Sequence, residues 1–161
     1  MTTAVSEGML WAVKSSLRDY VAALPDGNMV ISGGGGISHP ADEFYFELAD
    51  ATGYDKDRLA GLLRFRGAIH FSGHAGLLSV SIVDPWVGFG GRRGLLSVSV
   101  GGERILLAEL RAISVSRGQE AMIFVAAEVT LSGSAVPMFS HAYPEGEVLA
   151  PVSIRIRMPA P

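Results

Sequence analysis

Hydrophobic positions along this chain follow two periods, one helical and brief, the other strand-like and long. Near the start, Leu10, Val13, Leu17, Val21 and Leu24 recur three or four residues apart, while Lys14, Arg18 and Asp19 fall off that stripe. This predicts one N-terminal amphipathic α-helix over about residues 8–23, with Ser6 capping its start and Pro25-Asp26-Gly27 turning the chain at its end. From residue 29 the period changes to two. Leu63, Phe65, Ile69 and Phe71 share one face, against Arg64, Arg66, Ala68 and His70 on the other. Leu78, Val80 and Ile82 alternate with Ser79 and Ser81, and Leu96, Val98 and Val100 with Ser97 and Ser99. Near the end, Ile154, Ile156 and Met158 are set against Ser153, Arg155 and Arg157.

Shorter apolar runs at residues 29–32, 44–48, 86–89, 103–110 and 122–130 complete the set. Gly101-Gly102 suits a two-residue hairpin, because both positions can take positive φ. Residues 33–36, four glycines, read as a flexible loop, and residues 50–59 as a polar connection. About nine or ten short strands at regular spacing give a mainly β chain, an antiparallel sandwich or barrel, with the β-sandwich as the expected form. The likeness between residues 77–84 and 95–100 is ordinary half-exposed strand patterning. No linker or charge run splits the chain, so residues 1–161 are expected to form a single domain.

Composition narrows the function classes. Hydrophobic residues make up 48% and charged residues 18%, with a mean hydropathy of +0.33. So apolar a chain needs a large core, a ligand cavity or a partner interface. The net charge of −3 argues against a nucleic-acid surface. No apolar run is long enough to predict a transmembrane segment. Residues 1–9 show no basic stretch or apolar signal core, although a mature exported domain would look the same. With no cysteine in the chain, disulfides, thiolate nucleophiles and cysteine-held metal clusters are excluded.

Catalytic signatures are missing. The four glycines carry no lysine at phosphate-loop spacing, and Ser72-Gly73-His74 is not a nucleophile elbow. The histidines, His39, His70, His74 and His141, are not spaced to place two imidazoles on one helix face. Two features remain. Ser16 and Tyr20 are four residues apart and project from one helix face beside the apolar stripe. His74 occupies a glycine-flanked turn after a strong strand. Taken alone, Tyr20 reads as a core-edge tyrosine and His74 as a solvated turn residue.

Three motifs add a resemblance. Trp11-Ala12-Val13-Lys14-Ser15-Ser16-Leu17-Arg18-Asp19-Tyr20-Val21 is similar to the opening helix of the HtaA-type haem-binding domain of actinobacterial haem-uptake proteins. Phe65-Arg66-Gly67-Ala68-Ile69-His70-Phe71-Ser72-Gly73-His74-Ala75-Gly76, followed by Asp84-Pro85, resembles that family's central strand and Gly-His turn. Tyr143-Pro144-Glu145-Gly146 followed by Leu149-Ala150-Pro151-Val152-Ser153 resembles its closing motif. Together they span nearly the whole chain in the family's order.

The resemblance implies a non-enzymatic module that binds one ferric haem b for acquisition, transfer or storage. Carried over by position, Tyr20 would be the axial iron ligand and His74 would hydrogen-bond its phenol oxygen. Ser16 would reach a haem propionate, and Tyr143 the second propionate or the haem edge. Ala142 stands where the family often has an aromatic, which puts a stacking contact in doubt. The implied partners are haem and other haem-uptake proteins. A haem exposed at one edge could be shared across a homodimer. The family belongs to the cell envelope, but this chain carries no export signal as written, so its location stays open. Two rivals remain: an interaction module that kept the scaffold without haem, and a carrier of lipid or another apolar small molecule. A haem enzyme would need distal acid–base groups, for which only His70 and His141 could be named.

Overall fold

The computed structural model describes residues 7–38 and 43–158. The strands are β1 (Gly8–Trp11), β2 (Asn28–Ser32), β3 (Gly35–Ser38), β4 (Glu43–Asp50), β5 (Tyr54–Asp55), β6 (Ala60–Arg66) and β7 (Ala68–Gly73). They continue as β8 (Leu78–Val83), β9 (Trp86–Gly90), β10 (Arg93–Val100), β11 (Glu103–Arg117), β12 (Ala121–Leu131), β13 (Val148–Leu149) and β14 (Val152–Arg157). One α-helix, α1 (Ser15–Ala23), follows β1. Single 3-10 segments cover His74–Gly76 and Gly133–Phe139.

The expected sandwich is corrected to a closed barrel. Eight strands pair in the cyclic order β4-β1-β14-β12-β11-β10-β9-β6, and β6 returns to β4 through Glu47↔Arg66 and Leu48↔Phe65. β3, β5 and β13 lie beside β4, β6 and β12. A separate antiparallel sheet, ordered β2-β7-β8, packs on the barrel. Alternating patterning cannot separate the two architectures, because it reports which side chains face inward and not whether the outer strands meet.

The long alternation over residues 63–71 spans both sheets. Leu63 and Phe65 lie inside the barrel, Ile69 and Phe71 on the inner face of the small sheet, and all are buried. Gly67 makes the corner: its φ is +142°, and an added Cβ would come within 2.9 Å of the Gly35 nitrogen. Phe44 of β4 and Phe71 of β7 meet edge to face at 5.6 Å, joining the two layers in one core.

The helix begins seven residues later than its expected start. Met9 and Trp11 are buried on β1, an alternation that the coincident spacing of Leu10 and Val13 concealed. Ser6, the expected cap, lies outside the described residues. Val13 has φ +67° and separates strand from helix. The predicted stripe survives in Leu17 and Val21, which are 2% and 5% exposed, and Leu24 packs half-buried at the helix end. Elsewhere Gly101 and Gly102 take the expected positive φ, +58° and +85°. Gly35 and Gly36 belong to β3 and not to a loop. Among the described residues no helix is long and apolar enough to cross a membrane.

Leu17 should therefore dominate the docking of α1. Leu17→Ala is expected to cost about 2–5 kcal/mol in urea denaturation. A loss of only a few tenths would show that α1 is not anchored in the core in solution.

Candidate functional site

A nine-residue helix is marginal by itself, so α1 depends on its attachments. Four contacts hold its start. The Trp11 indole Nε1–H donates to the Ala150 carbonyl at 2.8 Å, and the Ala150 amide donates to the Val13 carbonyl at 2.8 Å. Lys14 Nζ donates to the Val148 carbonyl at 2.7 Å and pairs with Glu147 at 3.0 Å. The closing motif is thus a brace for the N-terminus of the helix. At the other end, Leu24 rests against β7: an added Cβ at Gly73 would lie 2.5 Å from Leu24 Cδ1.

Held this way, α1 presents Ser16 and Tyr20 on its solvent-facing side, with Tyr20 48% exposed. The Tyr20 phenol hydrogen-bonds His74 Nε2, and the two rings stand 5.5 Å apart at 49°. Ser16 Oγ and the Tyr143 hydroxyl are 2.9 Å apart. Tyr143 is held further by Phe139, edge to face at 6.1 Å, and by Lys14 Nζ, 5.5 Å from its ring centre. Phe139 supplies an aromatic neighbour that the sequence position Ala142 does not. All four sequence-derived site residues therefore meet in two pairs joined by one turn of helix.

His74 and Ala75 both adopt left-handed backbone, φ +50° and +54°, and Gly76 follows at +91°. Such a conformation costs an L-residue about 1 kcal/mol or more, so the turn needs an external hold. Asp26 gives it: the His74 and Ala75 amides donate to Asp26 Oδ1 and Oδ2 at 3.1 and 2.8 Å. Those two amides hold the Asp26 carboxyl below the usual carboxylate range. Sequence reasoning placed Asp26 only in a turn. The signal available there was an Asx-type residue after proline, and nothing in it names a partner 48 residues away.

Two large apolar side chains beside these groups stand in solvent. Leu77, directly after the His74 turn, is 84% exposed, and Val148, whose carbonyl Lys14 binds, is 65% exposed. The other histidines are placed differently. His70 Nδ1 pairs with Ser81 Oγ at 2.6 Å across β7 and β8, His141 is exposed before Tyr143, and His39 lies outside the described residues. Among the described residues no group of three or more His, Asp or Glu could hold a bare metal ion.

Fold and geometry together define a class: a closed antiparallel barrel with a short surface helix whose exposed tyrosine is paired to a histidine turn. The HtaA family model matches residues 6–155, and the chain belongs to that family. The C-terminal domain of HtaA from Corynebacterium glutamicum is 25% identical, with TM-score 0.79 over 96% of this chain and 97% of that one. The N-terminal domain of the same protein is 22% identical, with TM-score 0.72 over 96% and 99%. The haem-binding protein HtaB of that organism is 18% identical, with TM-score 0.66 over 93% and 91%. No curated protein matches the chain by sequence.

The Ser16–Tyr143 pair gives a direct test of this surface. A double-mutant cycle of Ser16→Ala and Tyr143→Phe, followed by denaturation, is expected to show a coupling of about 0.5–1 kcal/mol. Zero coupling would mean that the two hydroxyls do not meet in solution.

Proposed function

We propose that this protein binds ferric haem b for acquisition, transfer or storage, with Tyr20 as the axial ligand. The observation that carries the reading is the exposed Tyr20 phenol hydrogen-bonded to the His74 imidazole. Family membership and the haem-binding HtaB neighbour support it.

The donor set suits the group. A free tyrosine titrates near ~10, so a phenolate ligand at neutral pH needs both a nearby positive charge and a hydrogen-bond partner. Ferric porphyrin, when bound, supplies a Lewis-acidic iron with affinity for an anionic oxygen. His74 contributes the rest: its Nε2 takes up or shares the phenol proton and keeps the ring oriented, as outer partners of metal ligands do. Ser16 and Tyr143 present hydroxyl donors for carboxylates, with Lys14 close by. Leu77 and Val148 offer apolar contact for a porphyrin face. A site this open, with one protein ligand, serves a carrier that must hand its cargo on.

Hemin titration followed by absorption spectroscopy checks the proposal. The wild-type chain is expected to give a Soret band with high-spin ferric tyrosinate features. Tyr20→Ala should abolish them, and His74→Ala should weaken hemin retention by about 10–100-fold. If the wild-type chain leaves the spectrum of free hemin unchanged, the reading is wrong.

A further inference from the structure

A third residue sets the Tyr20–His74 pair without touching either side chain. We infer that Asp26 is the positioning residue for His74: its carboxylate clamps the His74–Gly76 turn to the end of α1 and so fixes the imidazole against the phenol. The inference rests on the haem-binding reading for its meaning, while its geometry belongs to the protein by itself.

Asp26 lies six residues after Tyr20, in the loop that ends α1. Successive left-handed residues turn their amides toward one point, making a concavity that accepts an anion. Here the two carboxylate oxygens fill it, one amide each. A carboxylate in a Pro-Asp-Gly turn ordinarily bonds within its own loop. Asp26 instead reaches 48 and 49 residues along the chain. No ion pair engages it among the described residues, so these amides are its strong partners.

The turn closes the β7–β8 hairpin beyond the Gly73↔Leu78 pair. His74, Ala75, Gly76 and Leu77 are all exposed, and within the turn the Leu77 amide bonds the His74 carbonyl at 3.0 Å. The side chain of His74 meets only the Tyr20 ring among the aromatic contacts. Without Asp26, the Gly73↔Leu78 pair, the Leu77–His74 bond and the phenol–imidazole bond would be left to hold the two left-handed residues. With it, the helix that carries the tyrosine also carries the clamp for the histidine. The two rings then move as one body.

The test uses Asp26→Ala, Asp26→Asn, His74→Ala and the double variant Asp26→Ala/His74→Ala. In the hemin-free protein, NMR contacts between the Tyr20 and His74 rings are expected to disappear in Asp26→Ala while the protein stays folded, its melting temperature falling by about 2–4 °C. In hemin-loaded protein, Asp26→Ala should speed hemin release to apomyoglobin about tenfold. Asp26→Asn should do less, because the carboxamide keeps one acceptor oxygen. In the His74→Ala background the Asp26→Ala change should add nothing. Ring contacts that persist in Asp26→Ala, or additive effects in the double variant, overturn the inference. A wild-type chain that takes no hemin removes the haem-binding reading, and the hemin-free arm still decides the role of Asp26. Should Asp26→Ala fail to fold, Asp26→Asn carries both arms, with weakened ring contacts expected and unaltered ones refuting it.

Discussion

The site depends on how a helix too short to persist alone is fastened to a barrel. Two buried side chains, Leu17 and Val21, fix its depth. The closing motif pins its start through Trp11, Val13 and Lys14, and its far end meets β7 through Leu24 and the His74 turn through Asp26. These attachments reach two distant parts of the chain, residues 147–150 and 73–75. Tyr20 can therefore be half exposed to solvent and still be well placed, because none of its own contacts has to hold the helix.

That division separates folding from binding energetically. The core groups are apolar and fully enclosed, where truncation costs several kcal/mol. The site groups are exposed hydroxyls, an imidazole and a Lys–Glu pair, whose net contributions in water are about 1 kcal/mol or less each. Selection on the surface can therefore change ligand contacts with little effect on the barrel. It also explains why the four site residues come as hydrogen-bonded pairs. An exposed rotamer held by a partner loses less entropy when a ligand arrives than a free one does.

Much of this was legible in the residues, and the errors have identifiable causes. Inward-facing positions on β6, β7 and β8 followed directly from alternation, as did Leu96 and Val98 on β10, whereas Val100, expected on the same face, is exposed. Closure of the barrel did not, because β4 pairs with β6 through backbone groups that leave no mark on side-chain type. The early helix start came from a coincidence of period: Leu10, Val13 and Leu17 fit a helix, yet Met9 and Trp11 are the buried residues of a strand. Tyr20, Ser16, His74 and Tyr143 were found through motif order, and the structure brings them together. Lys14, Glu147 and Asp26 were passed over because surface charges at those positions look solvated until a partner more than 40 residues away is known.

An open phenol also sets a limit on what such a site can be for. A ligand group at the bottom of a closed pocket releases its cargo only when the protein opens, on the timescale of that motion. Here the donor oxygen stands half in water on a helix that needs no movement to expose it. On the haem-binding reading, retention then rests on the strength of one oxygen–iron bond, tuned by one imidazole and a few hydroxyl contacts. A shift of that imidazole would weaken the bond and speed release. On that reading the clamp on the His74 turn bears on retention, because it sets how the imidazole meets the phenol oxygen.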